Sequence, residues 1–149
     1  LRNQLAQPGA MVLNATPIDL NKVELPAYFI STGDDHIAPW KSTYAGARLL
    51  GGPVRFVLGG SGHIAGIINP PAADKYGYRV NEKLDADPER WLEGATQHPG
   101  SWWTDWGRWI AAHGGERVPA RTPGDGELKV WEDAPGTYVT VRADTQGQR

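Results

Sequence analysis

Two apolar strand patterns, separated by one amphipathic segment, constrain the fold of this chain most strongly. The first pattern covers residues 27–32 and the second covers residues 54–58. Between them, residues 41–50 show the apolar spacing of a helix with Tyr44 and Ala47 on one face, and a Gly-Gly-Pro sequence ends it. Two strands joined by a helical crossover of this length are normally parallel neighbours. The order therefore predicts an α/β fold that contains parallel strands.

Polar loops follow both strands. Asp35 lies in the loop after the first strand, and His63 lies in the glycine-rich loop after the second. Functional groups of α/β proteins collect at the carboxyl ends of parallel strands, so we expect both side chains at one edge of the sheet. An acid followed by a histidine is also how α/β-hydrolases order the last two members of their catalytic triad, whose nucleophile comes earlier in the chain. Asp35 is thus a candidate acid, and His63 is a candidate general base because imidazole accepts protons near neutral pH.

Other interpretations of this pair of loops stay open from the residues alone. An Asp after a strand is often a cap or a solvated loop residue, and a glycine-rich loop is often only a turn. His36, beside Asp35, can orient a carboxylate or pack structurally. A metal site built from Asp34, Asp35, His36 and His63 is a further alternative, although no ligand motif such as H-E-x-x-H is present.

The amino-acid composition excludes several kinds of functional site. The 149 residues contain no Cys, which excludes disulfides, thiolate zinc sites and a Cys nucleophile within this chain. The net charge of −2 supplies no general electrostatic field for nucleic acid. No segment approaches the ~18 consecutive apolar residues of a membrane-spanning helix. The 19 Gly and 12 Pro residues predict frequent turns and short helices.

The second half of the chain predicts two more helices. Asp87 and Pro88 begin the first one as cap and first helical residue, and a His-Pro-Gly sequence at 98–100 breaks the chain after it. Its apolar stripe contains Trp91, Leu92 and Ala95. Ser101 caps the second helix, which a Gly-Gly pair at 114–115 ends.

Tryptophan is unusually frequent, with 7 Trp against 1 Met and 2 Phe. Trp102, Trp106 and Trp109 fall at i, i+4 and i+7 of the second helix, which predicts a stripe that faces the core. The alternative is an exposed apolar patch that contacts a partner. Trp40 follows the Asp35 loop directly and is placed to line the entrance of a site.

The ends of the chain are typical of a piece of a longer gene product. The sequence begins Leu-Arg-Asn, without Met and without the residue order of a signal peptide. From residue 118 onward the chain is extended and interrupted by Pro and Gly, with short strands predicted at residues 128–131 and 138–142. Residues 143–149 are polar and are predicted to form a disordered terminus.

Four motifs resemble one known family. They are DHIAPWKS at residues 35–42, RFVLGGSGHIAGIINPP at 55–71, HPGSWW at 98–103 with Trp106, and RVPAR at 117–121. Together they resemble the C-terminal part of class I polyhydroxyalkanoate synthases, and the similarity covers nearly the whole chain. The resemblance implies that residues 1–115 are the C-terminal portion of an α/β-hydrolase-type catalytic domain. It also implies that residues 116–142 form an extended segment packing on that domain.

The resemblance implies polymerisation of (R)-3-hydroxyacyl-CoA into polyester with release of CoA. In that family a Cys carries the growing chain as a thioester, and this Cys would lie upstream of the 149 residues. Carried over by motif, His63 is the base for the Cys. Asp35 either orients His63 or activates the substrate hydroxyl, with Asp34 as the alternative carboxylate. The active-site neighbours implied are His36, Trp40, Ile64 and Asn69. No cofactor or metal is implied, because the CoA thioester is the substrate.

The resemblance also implies the setting of the protein: a homodimer in the cytoplasm, at the surface of polyester granules, with granule-associated proteins as further partners. It implies no nucleic-acid partner and no membrane span. The 149 residues alone are predicted to be inactive, since they lack the nucleophile. Two alternatives remain: an esterase or polyester depolymerase with a Ser nucleophile, and a non-catalytic segment that makes dimer or granule contacts through its tryptophans.

Overall fold

The predicted pair of strands belongs to the first of two structural units. The structure, a computed structural model, describes residues 2–142. The chain separates into the units Leu1–Gly114 and Gly115–Arg149. The first unit contains these elements in order: a 3-10 turn Gln4–Ala6, β1 Val12–Leu13, β2 Thr16–Pro17, a 3-10 turn Leu20–Lys22, β3 Ala27–Thr32, α1 Trp40–Ala47, β4 Val54–Gly59, a 3-10 turn Pro71–Ala73, β5 Tyr78–Val80, α2 Pro88–Glu93, β6 Thr96–His98 and α3 Trp103–His113.

Strands β3 and β4 are parallel neighbours, as predicted, and both end at the same edge of the sheet. Their register pairs Ala27 with Val54 and Thr32 with Gly59. Between them, α1 buries Tyr44 and Ala47, which are the predicted apolar face. A short antiparallel ribbon of β1 and β2 precedes this unit of strand, helix and strand.

The rest of the sheet differs from the expected parallel arrangement. The strand order is β3-β4-β5-β6, and both β5 and β6 pair antiparallel. Because no α-helix lies between β4 and β5, the chain makes no crossover and returns from the edge at which β4 ends. Strand β6 occupies Thr96–His98 and shares only His98 with the predicted break at 98–100, while α2 already ends at Glu93. The connection from β4 to β5 therefore stays at the edge that carries Asp35 and His63.

An aromatic core packs α1 and α2 on one face of the sheet. Trp91 is fully buried, and its ring centroid lies 5.5 Å from that of Tyr44 and 5.1 Å from that of Phe56. Helix α2 begins as predicted, since the Asp87 side chain accepts a hydrogen bond from the Glu89 N–H. Leu92 and Ala95 pack against the same core.

Replacing Trp91 by Ala is expected to lower the free energy of unfolding by about 3–5 kcal/mol, because it empties a site enclosed by rings. Denaturant titration followed by circular dichroism measures this loss. The matched control is Trp131→Ala, since Trp131 is 97% exposed and its removal should change stability by less than about 0.5 kcal/mol. Equal losses in the two variants would contradict the assignment of Trp91 to the core.

The core-facing stripe of α3 differs from the predicted one. Trp102 and Trp109 pack on Tyr28, with ring centroids 6.2 Å and 5.3 Å away, but Trp106 is 44% exposed. Asp105 is buried in its place, on the side of the helix that faces β3 and β4. The stripe therefore runs through positions 102, 105 and 109, and the prediction that Trp106 faces the core is wrong.

Asp105 is stable inside this contact because it is paired. Arg55 donates two hydrogen bonds to its carboxylate, at 2.7 and 2.8 Å, and the Tyr28 hydroxyl donates a third at 3.0 Å. Burial alone would raise the pKa of Asp105, but these hydrogen bonds outweigh it and lower the pKa. Burial, reinforced by the Asp105 carboxylate, raises the pKa of Tyr28. The hydrogen bonds among Asp105, Arg55 and Tyr28 therefore hold α3 against β3 and β4.

The second unit contains little regular structure in its described part. Within residues 115–142, the one regular element is a 3-10 turn, Tyr138–Thr140. The strands predicted at 128–131 and 138–142 are absent from this range. Leu128 and Trp131 are 85% and 97% exposed, so no apolar face holds an extended chain in a sheet. Residues 143–149, predicted to be disordered, lie outside the described residues.

Among residues 2–142, no helix combines the length and the apolar character that crossing a bilayer requires.

Candidate active site

Asp35 and His63 meet at the edge where β3 and β4 end. The Nδ1 atom of His63 lies 2.7 Å from Oδ2 of Asp35. Backbone hydrogen bonds join the two loops that carry them: Gly33 N–H donates to the Gly59 carbonyl at 2.9 Å, and Asp34 N–H donates to the Ser61 carbonyl at 3.1 Å. The two side chains that the spacing singles out are therefore in direct contact.

Both oxygens of the Asp35 carboxylate make hydrogen bonds. While Oδ2 contacts His63, Oδ1 accepts hydrogen bonds from the backbone N–H groups of Ile37 and Ala38, each at 2.9 Å. Its side chain is only 7% exposed. The Ala38 N–H, followed by the His63 hydrogen bond, lowers the pKa of Asp35 below its ordinary value of 3.8. Asp35 is therefore ionised near neutral pH and can only accept hydrogen bonds.

An ionised Asp35 determines the tautomer of His63. Because a carboxylate has no proton to donate, Nδ1 of His63 carries the proton of their shared hydrogen bond. The lone pair of a neutral imidazole then lies on Nε2, which has no hydrogen-bond partner within residues 2–142. The His63 side chain is 46% exposed, so a reacting group can approach it. An oriented imidazole with a free nitrogen is the arrangement that a general base requires.

The loop that carries His63 is tightly folded. We call residues 60–69 the His63 loop. Ser61 has a positive φ of 69°, and Gly66 N–H donates to the Gly62 carbonyl at 2.9 Å. A Cβ atom on Gly66 would overlap both the Thr32 methyl group and the Gly60 carbonyl oxygen. This position requires glycine because the loop turns directly against the last residue of β3.

The remaining predicted site residues divide into two groups. His36 and Ile64 are exposed beside Asp35 and His63, and Ile64 is 71% exposed. Trp40 and Asn69 face inward. Trp40 packs 6.2 Å from the rings of both Tyr44 and Trp91, and Asn69 is buried with its side-chain amide donating to the Lys75 carbonyl at 2.9 Å. Their roles next to substrate stay predictions.

The alternative of a metal site at these loops gains no support. Within residues 2–142, no three His, Cys, Asp or Glu side chains are grouped so that they could hold a metal ion.

The sequence patterns did not predict that residues at the beginning of α3 bind the His63 loop. Trp102 and Trp103 donate their indole N–H groups to carbonyls of this loop. The only signal in the sequence was the HPGSWW motif at 98–103, which gives no contact partner by itself.

Comparison with known proteins finds curated relatives of this chain, although no model of a protein family matches it. It is 43% identical over 144 residues to poly(3-hydroxyalkanoate) polymerase subunit PhaC of Cupriavidus necator, which covers 96% of this chain and 24% of the relative. It is 48% identical over 142 residues to the PhaC subunit of Rhizobium etli, covering 95% of this chain and 22% of the relative. It is 47% identical over 144 residues to the poly(3-hydroxyalkanoate) polymerase of Methylorubrum extorquens, with 96% and 24% covered.

The chain thus spans about a quarter of the length of the curated relatives it matches. Identity of this level over almost all of the chain establishes homology. The sequence similarity therefore leads to one assignment: the chain is homologous to the poly(3-hydroxyalkanoate) polymerases and corresponds to a C-terminal part of them.

Proposed function

We propose that this chain supplies the acid–base pair of a polyester synthase that polymerises (R)-3-hydroxyacyl-CoA and releases CoA. The observation that carries the proposal is the 2.7 Å contact between Asp35 and His63, at the sheet edge where α/β enzymes place their catalytic groups. The polymerase relatives supply the reaction class. The parallel pair β3 and β4, with its helical crossover, supports an α/β-hydrolase-type fold for the catalytic domain.

In this proposal His63 activates a Cys thiol that lies outside the 149 residues, since the chain itself has no Cys. The Nε2 atom takes the thiol proton as the sulfur attacks the acyl-CoA carbonyl. The bond between the acyl carbon and the CoA sulfur then breaks, and the imidazolium returns the proton to the departing CoA thiolate. The acyl group remains on the enzyme as a thioester. In the elongation step, Nε2 takes the proton of a 3-hydroxyl group as its oxygen attacks the thioester carbonyl. The bond between the acyl carbon and the enzyme sulfur breaks as the ester forms, and the imidazolium returns the proton to the released thiolate.

We assign Asp35 to orienting His63. Of the two roles left open by the sequence, direct activation of the substrate hydroxyl requires an accessible carboxylate oxygen. One oxygen of Asp35 accepts two backbone hydrogen bonds, the other contacts His63, and the side chain is 7% exposed. Nε2 of His63, on a side chain that is 46% exposed, is the better candidate to take the proton of the 3-hydroxyl.

A thiol reagent tests the reaction class. With 3-hydroxybutyryl-CoA, the gene product that carries this chain is expected to release CoA as polymer forms, and iodoacetamide should abolish both by alkylating the nucleophile. Thiol titration measures the CoA, and gas chromatography after methanolysis measures the polymer.

Three results would count against the proposal. Ester hydrolysis that persists after alkylation would favour the esterase with a Ser nucleophile. A gene product without either activity would favour the non-catalytic alternative. Robust CoA release by the 149 residues alone would show that no outside thiol is needed.

The setting of the enzyme is part of the same proposal. A homodimer, granule-associated proteins and a cytoplasmic location at the granule surface are inferred from the resemblance to polyhydroxyalkanoate synthases. Size-exclusion chromatography with light scattering tests the dimer, and fractionation of polyester granules tests the location.

A further inference from the structure

Three consecutive side chains at the start of α3 donate hydrogen bonds to backbone carbonyls of the His63 loop. The Ser101 hydroxyl donates to the Asn69 carbonyl. The indole N–H of Trp102 donates to the Gly66 carbonyl at 3.0 Å, and the indole N–H of Trp103 donates to the Ile67 carbonyl at 2.9 Å. We call this triplet, Ser101, Trp102 and Trp103, the α3 clamp.

The part of the loop that the clamp binds is continuous with His63. Within the loop, Gly66 N–H donates to the Gly62 carbonyl at 2.9 Å, and Ile68 N–H donates to the Ile64 carbonyl at 2.8 Å. These bonds make residues 62–68 one folded turn, so that fixing its carboxyl end also limits the movement of His63. At the other end, Gly60 N–H donates to the Gly77 carbonyl at 3.0 Å.

The clamp is itself fastened to the strands that carry the catalytic pair. Asp105, one turn along α3, binds Arg55 on β4 at 2.7 Å and Tyr28 on β3 at 3.0 Å. The Ser101 hydroxyl also accepts the Trp103 N–H at 3.1 Å, which ties the triplet together. Side-chain hydrogen bonds thus connect the beginning of α3 both to β3 and β4 and to the His63 loop.

We propose that Ser101, Trp102 and Trp103 are positioning residues for His63, holding its imidazole at hydrogen-bonding distance from Asp35 during the acyl transfer. The inference rests on the proposed function, because it gives His63 the role of general base. Displacing a catalytic group by about 1 Å typically costs about 100-fold in rate. Removing one of the three clamp bonds loosens the loop partially, so we expect about a tenfold loss in kcat. Because the clamp acts on the position of the general base, we expect the loss to fall on kcat, while KM changes by less than about twofold.

Trp103→Phe is the variant that tests one hydrogen bond of the α3 clamp by itself. Phenylalanine keeps an aromatic ring in the site but removes the N–H that binds the Ile67 carbonyl. Trp106→Phe is the matched control, since Trp106 borders the same apolar surface but its indole N–H makes no hydrogen bond within residues 2–142. If Trp103→Phe does not fold, Trp102→Phe removes the neighbouring bond to Gly66 in its place.

Two measurements on the whole gene product test the proposal. Hydrogen–deuterium exchange of the peptide covering residues 62–69 should rise at least about fivefold in Trp103→Phe and stay at the wild-type rate in Trp106→Phe. Steady-state CoA release should show the loss in kcat, with KM nearly unchanged, in the first variant only. Wild-type exchange or wild-type kcat in Trp103→Phe would overturn the proposal, as would equal effects in the control. Failure of the proposed function is distinguishable, because the wild-type protein would then release no CoA.

Discussion

Replacing His63 with glutamine is expected to lower CoA release from 3-hydroxybutyryl-CoA by about three to six orders of magnitude, as the loss of a general base does in other nucleophile–base enzymes. Glutamine has a similar reach, and its amide can still donate to Asp35, but it cannot take a proton from a thiol. Pre-steady-state and steady-state CoA release measure the loss. Circular dichroism should be unchanged, because the His63 side chain is 46% exposed.

His113→Gln is the control for this prediction. His113 is exposed at the end of α3, where its ring contacts Trp109, and its replacement should change kcat by less than about twofold. A His63→Gln variant that retains more than about a tenth of the wild-type kcat would exclude His63 as the general base.

Replacing Asp35 with asparagine is expected to lower kcat by about two to four orders of magnitude while the protein stays folded. The asparagine carbonyl can still accept the N–H groups of Ile37 and Ala38, so the loop keeps its shape. Its amide, however, donates to Nδ1 of His63. This forces the proton of the imidazole onto Nε2, where a general base needs a lone pair. Steady-state kinetics measure kcat.

Asp34→Asn is the comparison that assigns the carboxylate. Asp34 is exposed and its side chain makes no hydrogen bond to His63, whose partner is Asp35. We expect less than about a threefold change in kcat, the scale of a surface substitution. A large loss in Asp34→Asn together with a small loss in Asp35→Asn would transfer the role to Asp34.

The central part of the fold and the contact between Asp35 and His63 could be predicted because their signals are local. The two apolar segments match β3 and β4 closely. Because a helix connects them, they were predicted to be parallel, and they are. Parallel strands end at one edge of a sheet, so the same rule predicts that Asp35 and His63 lie close together. The tautomer of His63 could not be predicted, because it depends on both oxygens of Asp35 and on two backbone N–H groups.

Strands β5 and β6 could not be predicted because each has only three residues. So short a segment shows no period, and it becomes a strand by pairing with an existing sheet edge. The stripe of α3 was misassigned for a different reason. Apolar periodicity counts Trp106 and ignores Asp105, whereas hydrogen bonds from Arg55 and Tyr28 compensate the burial of the Asp105 carboxylate. Neither partner is close to Asp105 in sequence.

The α3 clamp illustrates the same limit. The HPGSWW motif marks residues 98–103 as distinctive, yet the carbonyls that Ser101, Trp102 and Trp103 bind lie more than 30 residues earlier in the chain. Side-chain bonds to irregular backbone leave no pattern in either segment. Only their juxtaposition connects the tryptophans to the site.

The most direct test of the central claim, that Asp35 acts through His63, is a double-mutant comparison of kcat for CoA release by the gene product. If Asp35 serves to orient the His63 imidazole, Asp35→Asn has nothing left to impair once His63 is glutamine. The double variant should then match His63→Gln within about threefold. A double variant slower than His63→Gln by the full factor that Asp35→Asn causes alone would contradict the account and show that Asp35 acts independently on the substrate.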